Sequence, residues 1–498
     1  MSIMRTKSVE QSIRDTEEPE FKLKKALGPI DLTVIGIGVI IGTGIFVLTG
    51  QAAAAYAGPG VAISFVIAGV ACALAALCYA ELASTVPVAG SAYTFSYASL
   101  GEFLAWLIGW DLILEFTIGA ATVSVGWSGY FNSVLGILGI TLPQSLAAAP
   151  AAGGVINLPA VFIALLMMTI LIIGIRLSAG VNTVITTLKV LLVLAIIAIG
   201  VFFIRAENLS PFVPPAQAGT YGETAFDTPL FLQIFGIESV YGGLGLFTGA
   251  ALVFFAYIGF DIVATTSEEA RNPQRDLPIG ILASLTICTI LYVIVSIVLT
   301  GILPYQQLGG DAPVADALAA TGLPIANAII SFGIMIGLTV VVMILMLGQS
   351  RVAFAMSRDN LLPLWFSRVH PRFRTPYRIT LITGVVAAVL GGLLPLTELG
   401  ELVNIGTLAA FVLVSIGVLA LRRSRPDLPR SFHTPLMPVL PIASAIVSFA
   451  VMLFLPLDTW LRFLGWMVIG VAVYFLYSKN HSRLATGETI EEAGEEVH

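Results

Sequence analysis

The stretch that decides the fold is GIGVIIGTG, residues 36–44, which lies in the first long apolar segment of the chain. Its four glycines, Gly36, Gly38, Gly42 and Gly44, each cost a helix interior about 1 kcal/mol relative to alanine. Irregular backbone survives at membrane depth only where it is buried in protein or lines a cavity. We therefore predict a membrane-spanning helix that breaks midway and leaves backbone groups free to bind a small ion or a zwitterion.

The overall composition is that of a polytopic membrane protein. The 498 residues are 57% hydrophobic and 11% charged, with a mean hydropathy of +0.96. One membrane-spanning helix needs about 20 apolar residues. Twelve segments meet this requirement, roughly at 31–55, 61–84, 102–133, 156–175, 182–204, 247–268, 278–302, 323–350, 379–397, 399–421, 436–456 and 460–478. We predict an all-α integral membrane protein with twelve transmembrane helices.

The lysines and arginines predict the orientation of these spans. All but three of the 24 fall in the tails and loops of one side, and cytoplasmic loops are the ones that collect positive charge. Two exceptions, Arg205 and Arg462, lie at span ends on the opposite side, and the third, Lys189, lies inside a span. We therefore predict a multi-pass protein of the plasma (inner) membrane with both termini in the cytoplasm. The net charge of −6 comes from acidic tails, which indicates solvated tails and no nucleic-acid partner.

The residue types that bind metals or perform covalent catalysis do not cluster in the spans. Cys72, Cys78 and Cys288 lie in predicted spans, where cysteine usually serves as a small packing residue. The four histidines lie in loops or tails. Because no nucleophile–base pair or metal cluster occurs within the spans, we expect no enzymatic activity, no metal site and no cofactor.

A second interruption occurs in the sixth span, around Ala256 to Gly259. Two broken spans five spans apart predict an inverted repeat of five plus five helices, followed by two accessory helices. The predicted organisation is a cytoplasmic tail (1–30), a first repeat (31–204), an extracellular loop (205–246), a second repeat (247–421), the accessory helices (422–478) and an acidic cytoplasmic tail (479–498).

The two breaks predict a site for a zwitterion. The second half of the first span would begin with unpaired N–H groups at Thr43, Gly44 and Ile45, which favour an anion. Its first half would end with free carbonyls at Ile40 and Ile41, which favour a cation, and the sixth span would add carbonyls near Phe254, Phe255 and Tyr257. The candidate substrate-binding residues are Ile40, Ile41, Gly42, Thr43, Gly44, Ile45, Phe254, Ala256, Tyr257 and Ile258. The alternative is that the glycines only let helices pack closely.

Four stretches of the chain resemble the amino acid–polyamine–organocation transporter superfamily, and most closely its cationic amino acid transporter branch. They are GIGVIIGTGIFVLTG (36–50), SRVAFAMSRDNLLP (350–363), and the longer stretches 79–116, from YAELAST to LILEF, and 254–281, from FFAYIGF to DLPIGI. The resemblance covers most of the chain. It implies a LeuT-type fold, secondary active transport and amino acid binding at the two broken helices.

Lys189 is the candidate proton-coupling residue. A charge at the bilayer centre costs at least about 2.5–3.5 kcal/mol, so such residues usually have a function. In sodium-coupled relatives of the resembled superfamily, a sodium ion bridges the broken first helix and the eighth helix, and the ammonium of Lys189 resembles a replacement for it. We expect the protonated form to bridge carbonyls near Gly42 and the hydroxyl of Thr339. The alternative is a snorkelling or permanently paired lysine.

Four acidic residues are further candidates. Asp111 and Glu115 lie four residues apart on the third span and so share a helix face. Glu115 is either a second proton carrier, a partner for Lys189, a polar contact near the substrate, or a protonated group that holds helices together, whereas Asp111 is expected to be interfacial. Asp261 is a candidate for the inner gate, with structural pairing as the alternative. The family resemblance implies a gate role for Glu268, which lies in a charged cytoplasmic hairpin whose arginines the positive-inside rule explains without any function.

These observations predict a proton-coupled amino acid symporter that works by alternating access. The proton is its only expected coupling ion, and its partners are the amino acid and the lipid bilayer. No carboxylate is securely assigned to a cationic side chain, which favours small neutral substrates such as alanine. Transport of cationic amino acids, or amino acid exchange, are the alternatives. A non-transporting sensor is disfavoured because the tails are short, and the sequence does not indicate an oligomeric state.

Overall fold

The computed structural model is mostly helical. It describes residue 5 and residues 27–86, 91–174, 179–219, 221–222, 224–260, 263, 266, 269–373 and 375–486. Within these ranges, seven helical stretches are long and apolar enough to cross a membrane, and five further apolar helices have 10–17 residues. Each of the twelve predicted spans contains one of these helices or part of one, whereas the number of membrane crossings stays a prediction.

The helices follow one another along the chain, with a long connection, residues 201–241, between α7 and α8. In chain order, and leaving out single turns, they are α1 (Pro29–Ile40), α2 (Gly44–Leu48, Thr49–Ala52 and Ala53–Ala57), α3 (Val61–Thr85), α4 (Ser91–Ser99), α5 (Glu102–Ile137), α6 (Leu158–Ile173), α7 (Ala179–Gly200), α8 (Gly242–Val253), α9 (Pro273–Ile302), α10 (Pro313–Ala320), α11 (Pro324–Arg358), α12 (Tyr377–Leu393), α13 (Leu396–Ser424), α14 (Val439–Met452) and α15 (Leu457–Val473). Two short antiparallel strands, β1 (Gln217–Ala218) and β2 (Ser239–Val240), pair in the segment before α8.

The first predicted span is interrupted where its glycines predicted a break. Helix α1 ends at Ile40, Ile41 is extended (φ −72°, ψ 99°), and α2 starts at Gly44 with a π-helical turn. Gly36 and Gly38 instead allow close packing of helices, which was the alternative considered for these glycines. A Cβ on Gly36 would lie 2.5 Å from the hydroxyl of Ser284, so this glycine allows α1 and α9 to pack closely.

The sixth predicted span is also interrupted. Helix α8 ends at Val253 and is followed by a 3₁₀ turn, Phe254–Tyr257, after which Ile258 is extended (φ −61°, ψ 132°). Gly259 has φ +122°, a backbone conformation that strongly favours glycine. Helix α8 begins at Gly242, before the predicted start of this span at 247, so the glycine-rich residues 242–246 also belong to the helix.

The two breaks meet in the middle of the bundle. A Cβ on Gly44 would lie only 2.2 Å from the Cα of Ala256, and a Cβ on Gly259 would lie 2.5 Å from the side chain of Val39. Side chains at these glycines would therefore push the interrupted segments apart. The long helices α5 and α11 pack beside them in antiparallel fashion, with Phe116 level with Gly348 and Trp127 level with Thr339.

One end of the bundle is fastened by a buried ion pair. Glu81 near the end of α3 is 2% exposed, and Arg422 in the last turn of α13 donates to both of its oxygens at 2.7 Å. The backbone N–H of Thr434 donates to the same carboxylate at 2.7 Å, and Arg430 lies 3.6 Å away. These four residues are called the Glu81 knot below. The knot joins α3, α13 and the segment before α14.

Candidate functional site

A small cavity of about 20 Å³ lies between the two breaks. Its walls come from the first interruption, the 3₁₀ turn after α8, and helices α5, α11 and α13. A cavity of this size has room for about one water molecule. The structure is therefore closed around this site, and a larger ligand requires the helices to separate.

About half of the predicted binding residues line this cavity. Those that do are Ile40, Gly42, Thr43, Gly44 and Ile258, together with the predicted proton carrier Glu115. The others, Ile41, Ile45, Phe254, Ala256 and Tyr257, are buried in the surrounding core and do not line it. Phe255, whose carbonyl was considered, lies on the cavity wall.

Thr43 brings a polar side chain to the break. It is fully buried, and its hydroxyl has no hydrogen-bond partner among the described residues. The side chain fits against Gly126 of α5, where a Cβ would lie 2.7 Å from its methyl group. A buried hydroxyl without a partner costs about 1–3 kcal/mol, and a cost of this kind is typical of a functional site.

The carbonyls of the two breaks have side-chain donors that the sequence analysis did not identify. The Tyr292 hydroxyl of α9 lies 2.6 Å from the carbonyl oxygen of Ile40 and 2.9 Å from that of Ala256. The amide of Asn404 in α13 donates to the carbonyls of Ala251 and Leu252 at 2.7 and 3.0 Å. The expectation that the Ile40 carbonyl is free is therefore wrong, because a tyrosine from a neighbouring helix already donates to it.

Lys189 lies between the first and eighth predicted spans, but its partners differ from the predicted ones. It is 1% exposed, and its ammonium donates to the carbonyl of Gly38 at 2.7 Å, one turn before the predicted acceptor near Gly42. Its methylene groups pack against Gly337 of α11, where a Cβ would be 3.1 Å away. Thr339 does not take part as predicted: its hydroxyl accepts from Trp127 at 2.9 Å and donates to the Met335 carbonyl at 3.0 Å.

The two acidic candidates in α5, Asp111 and Glu115, are both buried. Glu115 lies on the cavity wall. Asp111 is 3% exposed and lies against Gly406 of α13, so it is buried between helices, and its position at the membrane interface stays a prediction. One oxygen of Asp111 has no hydrogen-bond partner in the described ranges.

Gln349 of α11 is a polar residue that the sequence analysis did not consider. It is fully buried, level with Glu115 in the antiparallel pairing, and neither atom of its amide has a hydrogen-bond partner in the described part of the chain. An amide inside an apolar span was a signal that could have identified it. The gate candidates Asp261 and Glu268 lie outside the described residues, within which no group of three or more histidine, cysteine or acidic residues could hold a metal ion.

Comparisons with known proteins agree with the transporter-like geometry. The sequence profile of the amino acid permease family matches residues 27–474. The branched-chain amino acid permease BcaP of Bacillus subtilis is 48% identical over 97% of this chain and 99% of its own length. The methylthioribose transporter of the same organism is 45% identical over 93% of this chain and 95% of its length. The vacuolar cationic amino acid transporter 4 of Arabidopsis thaliana is 39% identical over 86% of this chain and 68% of its length.

Proposed function

The chain belongs to the amino acid permease family, whose members are transporters and not enzymes, and from that premise we propose that it imports small neutral amino acids together with protons. Its membrane is the plasma membrane, and both termini are cytoplasmic. Residues 31–204 and 247–421 form the two inverted repeats of a twelve-helix, LeuT-type arrangement. Transport proceeds by alternating access around the cavity between the breaks.

The observation that carries this proposal is the cavity formed where two interrupted helices meet. Helix α2 starts beside it at Gly44, so the N–H groups of Thr43, Gly44 and Ile45 are suited to the substrate carboxylate. The unpartnered hydroxyl of Thr43 supplies a further donor. The α-ammonium group then faces the carbonyl ends of α1 and of the turn after α8.

The cavity walls support a small, neutral side chain. The side chains of Val123, Val341, Leu345 and Val403 are apolar. An apolar wall gains from burying methyl groups and gives no compensation for a desolvated charge. Alanine and valine are therefore the preferred substrates. The branched-chain specificity in the name of one close relative fits this choice.

A cationic substrate is the second candidate. Glu115 lies on the cavity wall and is the one ionisable side chain among the described lining residues. A carboxylate at this position would pair with a lysine or arginine side chain, and one relative is named as a cationic amino acid transporter. The neutral substrate is preferred because most of the side chains around Glu115 in the cavity wall are apolar.

Lys189 is the proposed coupling residue. With its proton, it donates to the Gly38 carbonyl of α1 while its methylene groups pack on α11. Loss of the proton removes the charge that holds α1 in this position, because a neutral amine is a weaker donor than an ammonium group. Binding and release of one proton then change how firmly the first broken helix is attached to α7 and α11. A lysine that stays permanently paired would not have this effect.

The experiment that tests the function is uptake into proteoliposomes that contain the purified protein. Radiolabelled alanine, valine, arginine and methylthioribose are offered separately, with an inward proton gradient or an inward sodium gradient. We expect the proton gradient alone to concentrate alanine and valine. Concentration of arginine would favour the second candidate, and sodium-driven uptake would contradict the role of Lys189. Uptake that needs amino acid on the far side would indicate exchange, and binding without flux would indicate a sensor.

A further inference from the structure

The hydroxyl of Tyr292 lies between the two breaks and contacts both. It is 2.6 Å from the carbonyl oxygen of Ile40 in the first break and 2.9 Å from that of Ala256 in the second. We infer that Tyr292 is a positioning residue, which links the two breaks through their carbonyls and holds the carbonyl of Ile40, on the cavity wall, in the orientation that receives the substrate's ammonium group. This inference rests on the proposed amino acid substrate.

The two carbonyls are the ones that need such a donor. Ile40 is the last residue of α1, and Ala256 lies in the 3₁₀ turn that ends the helical part of the second break. An interrupted helix leaves its last carbonyls without donors from its own backbone. A tyrosine hydroxyl carries a single proton and donates to one carbonyl at a time, so its position between the two oxygens links the two breaks.

Tyr292 contacts the breaks without lining the cavity. It is fully buried, and its ring packs against Phe65 and Tyr257 at centroid distances of 5.4 and 5.5 Å. Ile40, in contrast, is part of the cavity wall. Because a carbonyl oxygen has two lone pairs, one can accept from Tyr292 while the other accepts from an ammonium group in the cavity.

The expected gain is preorganisation of the site. Without the hydroxyl, the two backbone segments are free to turn their carbonyls away, and a ligand must order them when it binds. The close approach of Gly44 to Ala256 brings the segments near enough for one hydroxyl to reach both. Tyr292 thus acts on the substrate through backbone groups and does not contact it.

Tyr130 of α5 provides a matched control. It is also fully buried, and its hydroxyl donates at 2.6 Å to a carbonyl of the same interrupted span, that of Phe46. Phe46 lies inside α2, beyond the break, and does not line the cavity. Removing either hydroxyl with phenylalanine deletes one buried hydrogen-bonding group and keeps the ring.

The test compares Tyr292→Phe with Tyr130→Phe in the full-length protein purified in detergent. Calorimetric titration with alanine and valine gives the Kd, and hydrogen exchange without ligand reports on peptides that cover 40–46 and 254–260. For Tyr292→Phe we expect a Kd about tenfold higher and faster exchange at both breaks. For Tyr130→Phe we expect a Kd within about twofold of the wild type and no change in exchange at 254–260. In proteoliposomes, Tyr292→Phe should raise KM more than it lowers the maximal rate.

Two results would overturn the inference. One is a Kd for Tyr292→Phe within about twofold of the wild type; the other is an equal weakening in both variants, which would indicate a general loss of packing. If the wild-type protein binds neither amino acid, the proposed function fails, and the exchange measurement still decides whether Tyr292 links the breaks. Unchanged exchange at both breaks in Tyr292→Phe would then refute the link.

Discussion

The Glu81 knot and the region around the two breaks both bury polar groups inside the helix bundle, but they differ in how those groups are paired. In the knot, both oxygens of one carboxylate accept hydrogen bonds from Arg422, and Thr434 adds a third donor. At the first break, the Thr43 hydroxyl has no hydrogen-bond partner among the described residues, and the same holds for one Asp111 oxygen and the Gln349 amide on the neighbouring helices α5 and α11.

The difference indicates different roles for the two regions. A buried polar group without a partner destabilises a protein by about 1–3 kcal/mol, so the paired carboxylate of Glu81 favours one rigid structure, although the Nε of Arg430 beside it has no hydrogen-bond partner among the described residues. The knot is therefore suited to hold α3 and α13 together throughout the transport cycle. The groups around the breaks are available to a substrate, to water or to a proton, and they are suited to a region that rearranges.

The largest effect is expected from a substitution at Gly44, where the two breaks lie very close to each other. Its Cβ in Gly44→Ala would lie 2.2 Å from the Cα of Ala256, which is backbone and cannot move aside without separating the breaks. We expect loss of measurable alanine binding and a lower thermal unfolding temperature. In the control Gly348→Ala, the Cβ lies 3.8 Å from the ring of Phe116, and both properties should persist. Normal binding by Gly44→Ala would contradict the placement of the site at the breaks.

The second-largest effect is expected from a substitution at Lys189, which should abolish proton coupling and leave substrate binding intact. Lys189→Met keeps an unbranched side chain against Gly337 and removes the ammonium that donates to Gly38. We expect proton-driven accumulation of alanine in proteoliposomes to be abolished, while exchange of labelled for unlabelled alanine continues, because Lys189 does not line the cavity. Accumulation at the wild-type rate in this variant would show that Lys189 belongs with the structural pairs, like Glu81.

A variant of the Glu81 knot should have the opposite effect to Lys189→Met: it should lower the stability of the protein and leave proton coupling intact. Glu81→Gln removes the charge from the bidentate pair, and breaking a buried pair costs about 3–5 kcal/mol. Arg422 is 25% exposed, so solvent screening reduces the expected loss of unfolding free energy to roughly 2–3 kcal/mol. Thermal unfolding in detergent measures this loss, with Asp427→Asn, in an exposed pair with Arg425, as a control without measurable change. If Glu81→Gln folds but loses proton coupling, the Glu81 knot is not purely structural, and the two regions do not differ in role as argued above.

The sequence correctly predicted the features that depend on local residue patterns. Glycines inside an apolar segment indicated the first break, and Gly259 stands at the second. The burial of Lys189 followed from its apolar neighbours. Tyr292 could not be identified in this way, because a tyrosine in an apolar span resembles a core aromatic until the fold places Ile40, 252 residues away in the sequence, beside its hydroxyl. The partners of Lys189 and Asp111 likewise depend on how distant helices pack.

The smallest effect is expected from a substitution at Glu115. It decides whether this carboxyl takes part in transport or is a structural group like Glu81. Glu115 is buried in the cavity wall, whereas the Glu81 carboxylate of the knot is paired with Arg422. A carboxyl that takes up and releases a proton during transport makes uptake depend on pH, and Glu115→Gln, which keeps the shape and fixes the neutral state, removes that dependence. We therefore expect alanine uptake by Glu115→Gln to vary less with pH than that of the wild type, with a maximal rate within about tenfold of it. Initial rates of uptake across a pH series, measured at constant membrane potential, provide the test. An unchanged profile would assign Glu115 to the structural polar groups that hold helices together and would leave Lys189 as the residue that carries the proton.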